Sequence, residues 1–195
     1  MAKLYFKFGA MNSSKTANAL MTQFNYQEKD KKVWLIKPAV DDRDGADIIA
    51  SRIGLKSKAV VIRPQDRIID MYPHDTDVII CDEAQFLTAA QVDDLRVIVS
   101  EHDIPVLCFG LRTDFQTHLF EGSKRLLELA DSITEIKSIC RCGAKATVNA
   151  RFDGQGRIVT EGAAVVIGGN ECYEGVCWSC YNKLVKTHGR RTDIH

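Results

Sequence analysis

Five short apolar runs punctuate the chain: LYFKF at 4–8, KVWLIK at 32–37, AVVIR at 59–63, DVIIC at 77–81 and PVLCFG at 105–110. Each is too short for a buried helix and is bounded by polar or turn-forming residues, the pattern of strands buried on both faces. Between them the period lengthens. From Thr88 to His102 the apolar side chains Val92, Leu95, Val97, Ile98 and Val99 gather toward one side, which predicts an amphipathic helix. Leu119 to Ala130 predicts another, with Phe120, Leu126, Leu127 and Leu129 apolar. Strands alternating with helices predict an α/β fold with a mainly parallel sheet flanked by helices.

After about Ser138 the texture changes to cysteines, glycines and short β-like pieces such as ATVNARF and RIVTEG. We therefore expect a first domain over residues 1–137 and a smaller one over 138–186. The small one has few large apolar residues, so a structural metal is expected to support it. The polar end, residues 187–195, is expected to fray.

The chain has 195 residues, 45% of them hydrophobic, enough for a sizeable core. Its 26 basic and 26 acidic side chains cancel, so no global field draws it toward nucleic acid or an anionic membrane. No apolar run approaches the roughly 20 residues of a membrane span. These features predict a soluble, cytoplasmic protein with neither a membrane nor a nucleic-acid partner. Seven cysteines, four of them in two close pairs, then point to metal binding more than to a secreted disulfide framework. Cys81 and Cys108, inside apolar runs, read as inert core residues, and Cys172 as a packing or surface residue.

The first run leads into Gly9-Ala10-Met11-Asn12-Ser13-Ser14-Lys15-Thr16. A phosphate-binding loop reads Gly, four residues, Gly, Lys, then Ser or Thr, and here all positions agree except Ser14, where the second glycine belongs. A strand, such a loop and a helix aim backbone N–H groups and a positive helix end at one point, where phosphates bind. Lys15 would reach the β and γ phosphates, and the Thr16 hydroxyl would be a ligand for Mg²⁺. Ser14 leaves two readings open. If the slot needs a left-handed backbone, serine costs roughly 1–2 kcal/mol relative to glycine; if glycine is needed for close approach to phosphate, the side chain obstructs nucleotide.

The fourth run ends in Asp82 and Glu83. An acidic residue at a strand end is the expected second support for a nucleotide's magnesium, which leaves Glu83 free to act on a nucleophile. The pair could also simply cap the following helix. Cys140 and Cys142, then, after 34 intervening residues, Cys177 and Cys180 make a closed four-sulfur set of the kind that holds structural zinc. The single residue between Cys140 and Cys142 forces a tight bend, and Gly143 suits it.

Taken together, GAMNSSKT, DDR, DEAQF, GLRTDFQ, the two cysteine pairs and VVIGGNECY resemble the thymidine kinases of the cellular, zinc-containing type, nearly end to end. The resemblance implies a P-loop fold with a zinc-bearing lasso domain, and transfer of the γ-phosphoryl group of ATP to the 5′-hydroxyl of thymidine in nucleotide salvage. It implies Glu83 as general base. It implies an ATP and magnesium site from residues 9–16, Asp41, Arg43 and Asp82, Glu83, Ala84 and Gln85. Phe86 and Phe115 would surround the thymine, and Ala164, Val165, Val166, Ile167 and Gly168 with Tyr173 would form the lasso that closes over it. From the residues alone, Phe86 and Phe115 read equally as core aromatics, Arg43 as a surface charge and Tyr173 as packing beside the zinc site. The family is commonly a homotetramer. Two departures stand out: Ser14 in place of glycine, and the short Cys140–Cys142 spacing, which a bacterial branch shares along with GAMN.

Two other readings compete. One is a zinc-ribbon P-loop ATPase working on nucleic acid, with Glu83 activating water; the zero net charge and the lack of a basic, aromatic-interleaved stripe speak against it. The other is a catalytically idle nucleotide-binding protein in which Ser14 has abolished the chemistry.

Overall fold

The computed structural model describes residues 1–39, 47–164 and 172–194. Its larger part is a six-stranded, all-parallel sheet in the order β5-β2-β6-β7-β1-β8. The strands are β1 (Leu4–Phe8), β2 (Val33–Pro38), β5 (Val60–Ile62), β6 (Val78–Cys81), β7 (Val106–Gly110) and β8 (Ser132–Glu135). A short antiparallel hairpin, β3 (Ile48–Ala50) with β4 (Lys56–Lys58), stands apart from the sheet.

The five apolar runs are the five strands from β1 to β7 within the sheet, displaced by a residue or two at most. Central position explains four of them; β5 lies at the edge of the sheet and is apolar all the same. Every residue of β6 and β7 is buried, and successive side chains enter opposite cores. Ile79, Cys81, Val106 and Cys108 join Phe6, Ile36, Leu95, Ile98 and Leu126 on one face. Val78, Ile80, Leu107 and Phe109 join Ala19, Leu20 and Leu35 on the other. Cys81 and Cys108 are core residues, as expected.

Helices α3 (Ala89–His102) and α4 (Glu121–Leu129) cover the first face, and α1 (Lys15–Gln27) covers the second; α2 (Ile68–Met71) is a single turn. The N-terminus of α3 is closed by a reciprocal pair: the Gln91 amide N–H donates to Thr88 Oγ1, and the Thr88 N–H donates to Gln91 Oε1. Helix α1 has no such side-chain cap, so its first N–H groups remain open to a ligand.

The smaller part is the three-stranded antiparallel sheet β10-β9-β11 with α5 (Trp178–Thr187) packed on it. Its strands are β9 (Val148–Phe152), β10 (Ile158–Val159) and β11 (Tyr173–Val176). Val148, Ala150, Phe152, Ile158, Val176 and Leu184 form its core together with Cys140 and Cys177. The end of the chain differs from the frayed tail expected: Ile194 is buried in this core. Gly189 O accepts from the Ile158 N–H, and the Arg191 N–H donates to Gly156 O. One apolar residue near the terminus fills a core too small to spare it, and the polar residues before it clip onto strand β10 and its turn.

The two parts meet at the carboxyl ends of the parallel strands. Tyr181 Oη donates to Phe115 O at 2.8 Å, and Gln116 Nε2 donates to Thr160 O at 3.0 Å. At the same end the chain leaves β1 for one side of the sheet and β7 for the other, the switch point at which α/β sheets hold ligands.

Candidate active site

The loop between β1 and α1 is pinned from three sides. The Gly9 N–H donates to Gly110 O at 3.2 Å, continuing the β1–β7 ladder past the strand end. A side chain at Gly9 would have its Cβ 2.2 Å from Ser13 Oγ and 2.6 Å from Ile136 O, so only glycine fits. On the far side, a Cβ at Gly175 of β11 would lie 2.6 Å from Met11 O and 3.0 Å from Ala10 Cβ. The small lobe thus presses directly on the loop.

Asn12 and Ser14 both have left-handed backbones, with φ of 65° and 60°. Asparagine tolerates that conformation and serine does so at a cost, which is the first of the two readings of Ser14. The Ser14 side chain is exposed and makes no capping hydrogen bond. Its carbonyl begins the helix, accepting from the Asn18 N–H at 3.0 Å.

Lys15 folds back into the loop, its Nζ donating to Ala10 O at 2.8 Å and lying 3.4 Å from Ser13 Oγ. Burial pulls its pKa down, while Glu83 and Asp82 pull it back up. A buried cation held by one carbonyl and a hydroxyl is poised to exchange them for phosphate oxygens.

The second half of the site follows β6. Asp82 is buried, and the nearby Thr16 hydroxyl favours its charged form. Burial first, then the neighbouring Glu83 charge, pushes its carboxyl up to about 7. A hydroxyl and a carboxylate side by side are hard oxygen donors of the kind magnesium takes, with water and phosphate completing its shell.

Glu83 has φ 51° and ψ 36°, left-handed for a residue with no preference for it. It precedes a single 3₁₀ turn, Ala84–Phe86. Gln85 is buried and works at both ends: Nε2 donates to Glu83 Oε2 at 2.5 Å, and Oε1 accepts from the Leu111 N–H at 3.0 Å. A Cβ at Gly110 would sit 2.6 Å from Gln85 Oε1, so the last residue of β7 must be glycine for this amide to reach across. Gln85 orients the Glu83 carboxylate from a fixed point on the backbone.

Phe86 is half-buried and meets Phe120 edge-to-face at 5.5 Å. Phe115 is fully buried, with the Arg151 guanidinium 4.9 Å from its ring centroid. Arg151 also donates to Ala163 O at 3.0 Å, and Ala164 beyond it is exposed. Tyr173 pairs with Arg151 across β11 and β9, and its hydroxyl is buried with no hydrogen-bond partner among the described residues. Asp41, Arg43, Val165, Val166, Ile167 and Gly168 lie outside the described residues.

The four cysteines do come together: the Sγ atoms of Cys140, Cys142, Cys177 and Cys180 lie within 4.8 Å of one another. Cys142 and Cys177 are 3.6 Å apart, far beyond a disulfide and close to the spacing of about 3.8 Å that tetrahedral zinc imposes. Gly143 has φ 86° and its N–H donates to Cys140 O, which makes the bend that the short spacing requires. Burial and the surrounding sulfurs push the Cys180 thiol up, so holding four sulfurs as thiolates calls for a cation. Cys172 is half-buried and outside the set.

Sequence reading missed Asn149 and Arg151, which face this region from β9. The signal was present in ATVNARF, where Val148, Ala150 and Phe152 fill the small core and the two polar residues between them project to the opposite face.

A family model described as thymidine kinase matches residues 2–181. The thymidine kinase of Shewanella oneidensis is 45% identical over 190 residues, covering 95% of this chain and 99% of its own. That of Chromobacterium violaceum is 46% identical over 185 residues, covering 93% and 99%. That of Rhodopirellula baltica is 43% identical over 182 residues, covering 91% and 86%. Among solved structures, the Pif1 helicase of Candida albicans aligns with a TM-score of 0.41 at 13% identity, over 73% of this chain and 37% of its own, too loosely to bear on fold or activity. The family match begins in the segment entering β1, takes in the phosphate loop, the Asp82–Glu83 corner and all four cysteines, and ends within α5: the chain belongs to the thymidine kinase family.

Proposed function

We infer that the protein is an ATP-dependent thymidine kinase, which converts thymidine and ATP to thymidine monophosphate and ADP. The observation that carries this reading is the meeting of Lys15, Thr16, Asp82 and Glu83 at the carboxyl ends of β1 and β6, inside the matched family segment.

The nucleoside 5′-oxygen attacks the γ-phosphorus, the bond from that phosphorus to the β,γ-bridging oxygen breaks, and ADP leaves with the electron pair. Glu83 accepts the hydroxyl proton as the new bond forms, and Gln85 keeps its carboxylate aimed. Such a transfer depends on positioning and charge neutralisation more than on covalent chemistry. The open N–H groups of residues 12–15 and the Lys15 ammonium supply donors for the phosphates. Thr16 and Asp82 are the residues that would hold magnesium, which when bound neutralises phosphate charge. Asp41 and Arg43 are assigned to the same phosphates through the family resemblance, and Phe86, Phe115, residues 164–168 and Tyr173 to the thymine.

The cysteine set is read as a structural zinc site, which closes the small lobe. A homotetramer is expected from the family resemblance, and a cytoplasmic location from the composition of the chain. Among the described residues no helix is long and apolar enough to cross a membrane.

The test is direct. Purified protein with ATP, magnesium and thymidine should yield thymidine monophosphate; no product at any magnesium or ATP concentration would sink the reading, and ATP hydrolysis stimulated by nucleic acid would replace it. Glu83→Gln should retain ATP binding and lose roughly 10²–10⁴-fold in kcat. Undiminished turnover would remove Glu83 as the base.

A further inference from the structure

Asn149, the second residue of β9, has 3% of its surface exposed, and both ends of its side-chain amide are used across the lobe boundary. Its Oδ1 accepts from the Met11 N–H at 2.8 Å, and its Nδ2 donates to Thr113 O at 2.8 Å. Met11 belongs to the phosphate loop. Thr113 opens the loop that carries Asp114 and Phe115, closed on itself by the Thr113–Leu119 bridge and the Asp114 N–H to His118 O bond. Because the two partners are a donor and an acceptor of backbone type, the amide has one orientation only; turning it over would set donor against donor and acceptor against acceptor.

The neighbouring strand reinforces the contact. Asn149 pairs in register with Gly175 of β11, and Gly175 is the residue that packs on Met11 O. Met11 is therefore hydrogen-bonded at its N–H by Asn149, while Gly175 packs so closely on its carbonyl side that no side chain would fit between them. Neither residue carries charge toward the phosphates, and neither is needed for the core of the small lobe.

We propose that Asn149 is a positioning residue that fixes the phosphate loop relative to the Thr113–Phe115 segment, and so sets the register between the two substrates. The proposal rests on the nucleoside kinase reading for the role of Phe115. Its contact with the loop that holds ATP is independent of which acceptor is phosphorylated.

Two variants separate the two ends of the amide. Asn149→Asp keeps an acceptor for the Met11 N–H and loses the donor to Thr113 O, putting a carboxylate against that carbonyl. Asn149→Leu is close in size and leaves both backbone groups without partners. ATP dissociation constants would be measured by calorimetry on the full chain, and KM and kcat for ATP and thymidine by steady-state kinetics, at a temperature well below unfolding of each variant. Asn149→Asp should leave the ATP constants within about twofold and raise the thymidine KM about tenfold, while Asn149→Leu should raise both by about tenfold or more. A lower melting temperature with unchanged constants in the folded protein would show a structural role only and overturn the proposal. So would equal effects of the two variants on both substrates. If the wild type binds ATP but does not phosphorylate thymidine, the kinase reading fails separately, and an ATP constant weakened by Asn149→Leu and spared by Asn149→Asp still upholds the grip on the loop.

Discussion

Replacing Ser14 with glycine should stabilise the ligand-free protein without improving its affinity for ATP. Ser14 has φ 60° and ψ 28°, a conformation that costs an L-residue with a Cβ roughly 1–2 kcal/mol. Glycine removes that strain but loses about 0.5–1 kcal/mol through the greater freedom of the unfolded chain. The net gain is about 0.5–1 kcal/mol, which in a chain of this length raises the melting temperature by roughly 1–4 °C. Affinity is a separate matter. The loop already holds the left-handed turn, the serine side chain is exposed, and no hydrogen bond from it is lost, so strain is relieved in free and bound protein alike. The KM for ATP should therefore stay within about twofold. Ser14→Ala, which keeps the Cβ and drops the hydroxyl, should melt within about 1 °C of the wild type. Thermal unfolding without nucleotide and initial rates against ATP make the two measurements. An unchanged or lower melting temperature for Ser14→Gly would show that no strain was stored there. A several-fold fall in KM without a thermal gain would place the cost in obstruction of the phosphates instead.

Gly9→Ala should disrupt the same loop more severely, since its Cβ would meet Ser13 Oγ and Ile136 O; we expect about 1–3 kcal/mol lost on urea unfolding together with weaker ATP binding, and wild-type values for both would contradict the packing. Asp82, with its carboxyl raised to about 7 against an ordinary value of 3.8, holds a proton in the folded protein over a range where the unfolded chain has released it. Stability of the protein without magnesium or nucleotide should consequently fall as pH rises from about 4 to 7, by no more than about 1.4 kcal/mol per pH unit. Asp82→Asn should flatten that slope in urea titrations at successive pH values, and an identical slope in the variant would exclude Asp82 as its source. Elemental analysis should find about one zinc per chain, and removing it with a chelator should unfold β9 to β11 and α5, seen as a loss of amide protection there, with loss of turnover; a metal-free preparation that stays protected and active would count against zinc.

What could be read in advance, and what could not, follows from where each element sits. The strands β6 and β7 announce themselves because both faces are buried and every residue is apolar or small. The edge strand β8, SITE, and the hairpin strand β4, KSK, carry no apolar run; for β8 it is pairing with β1 that sets the conformation, and for β4 pairing with β3, a tertiary effect outside local propensity. The four cysteines could be grouped by spacing, since metal chemistry admits few arrangements. The burial of Ile194 could not be foreseen, because one isoleucine in a polar stretch has no periodicity to betray it.

The candidate-site residues were hidden in a different way, each as a conflict with its local setting. Serine at the left-handed start of α1, glutamate at a left-handed corner after β6 and asparagine inside a strand are all disfavoured choices for those backbones. A fold selected for stability alone would place glycine, asparagine or aspartate at the first two and a β-branched residue at the third. The three exceptions are linked in the structure. Ser14 and the Asn149-bound Met11 belong to one loop, and Glu83 acts on the buried Lys15 of that loop electrostatically. Left-handed non-glycine residues also stand at Asp30, Asp103, Thr117 and His188, so it is the links to Met11 and Lys15, and not the backbone conformation alone, that set these three apart. A fourth irregularity fits the same logic: the Tyr173 hydroxyl, buried and without a partner among the described residues, lies on the strand that presses against the loop, where a polar ligand would satisfy it.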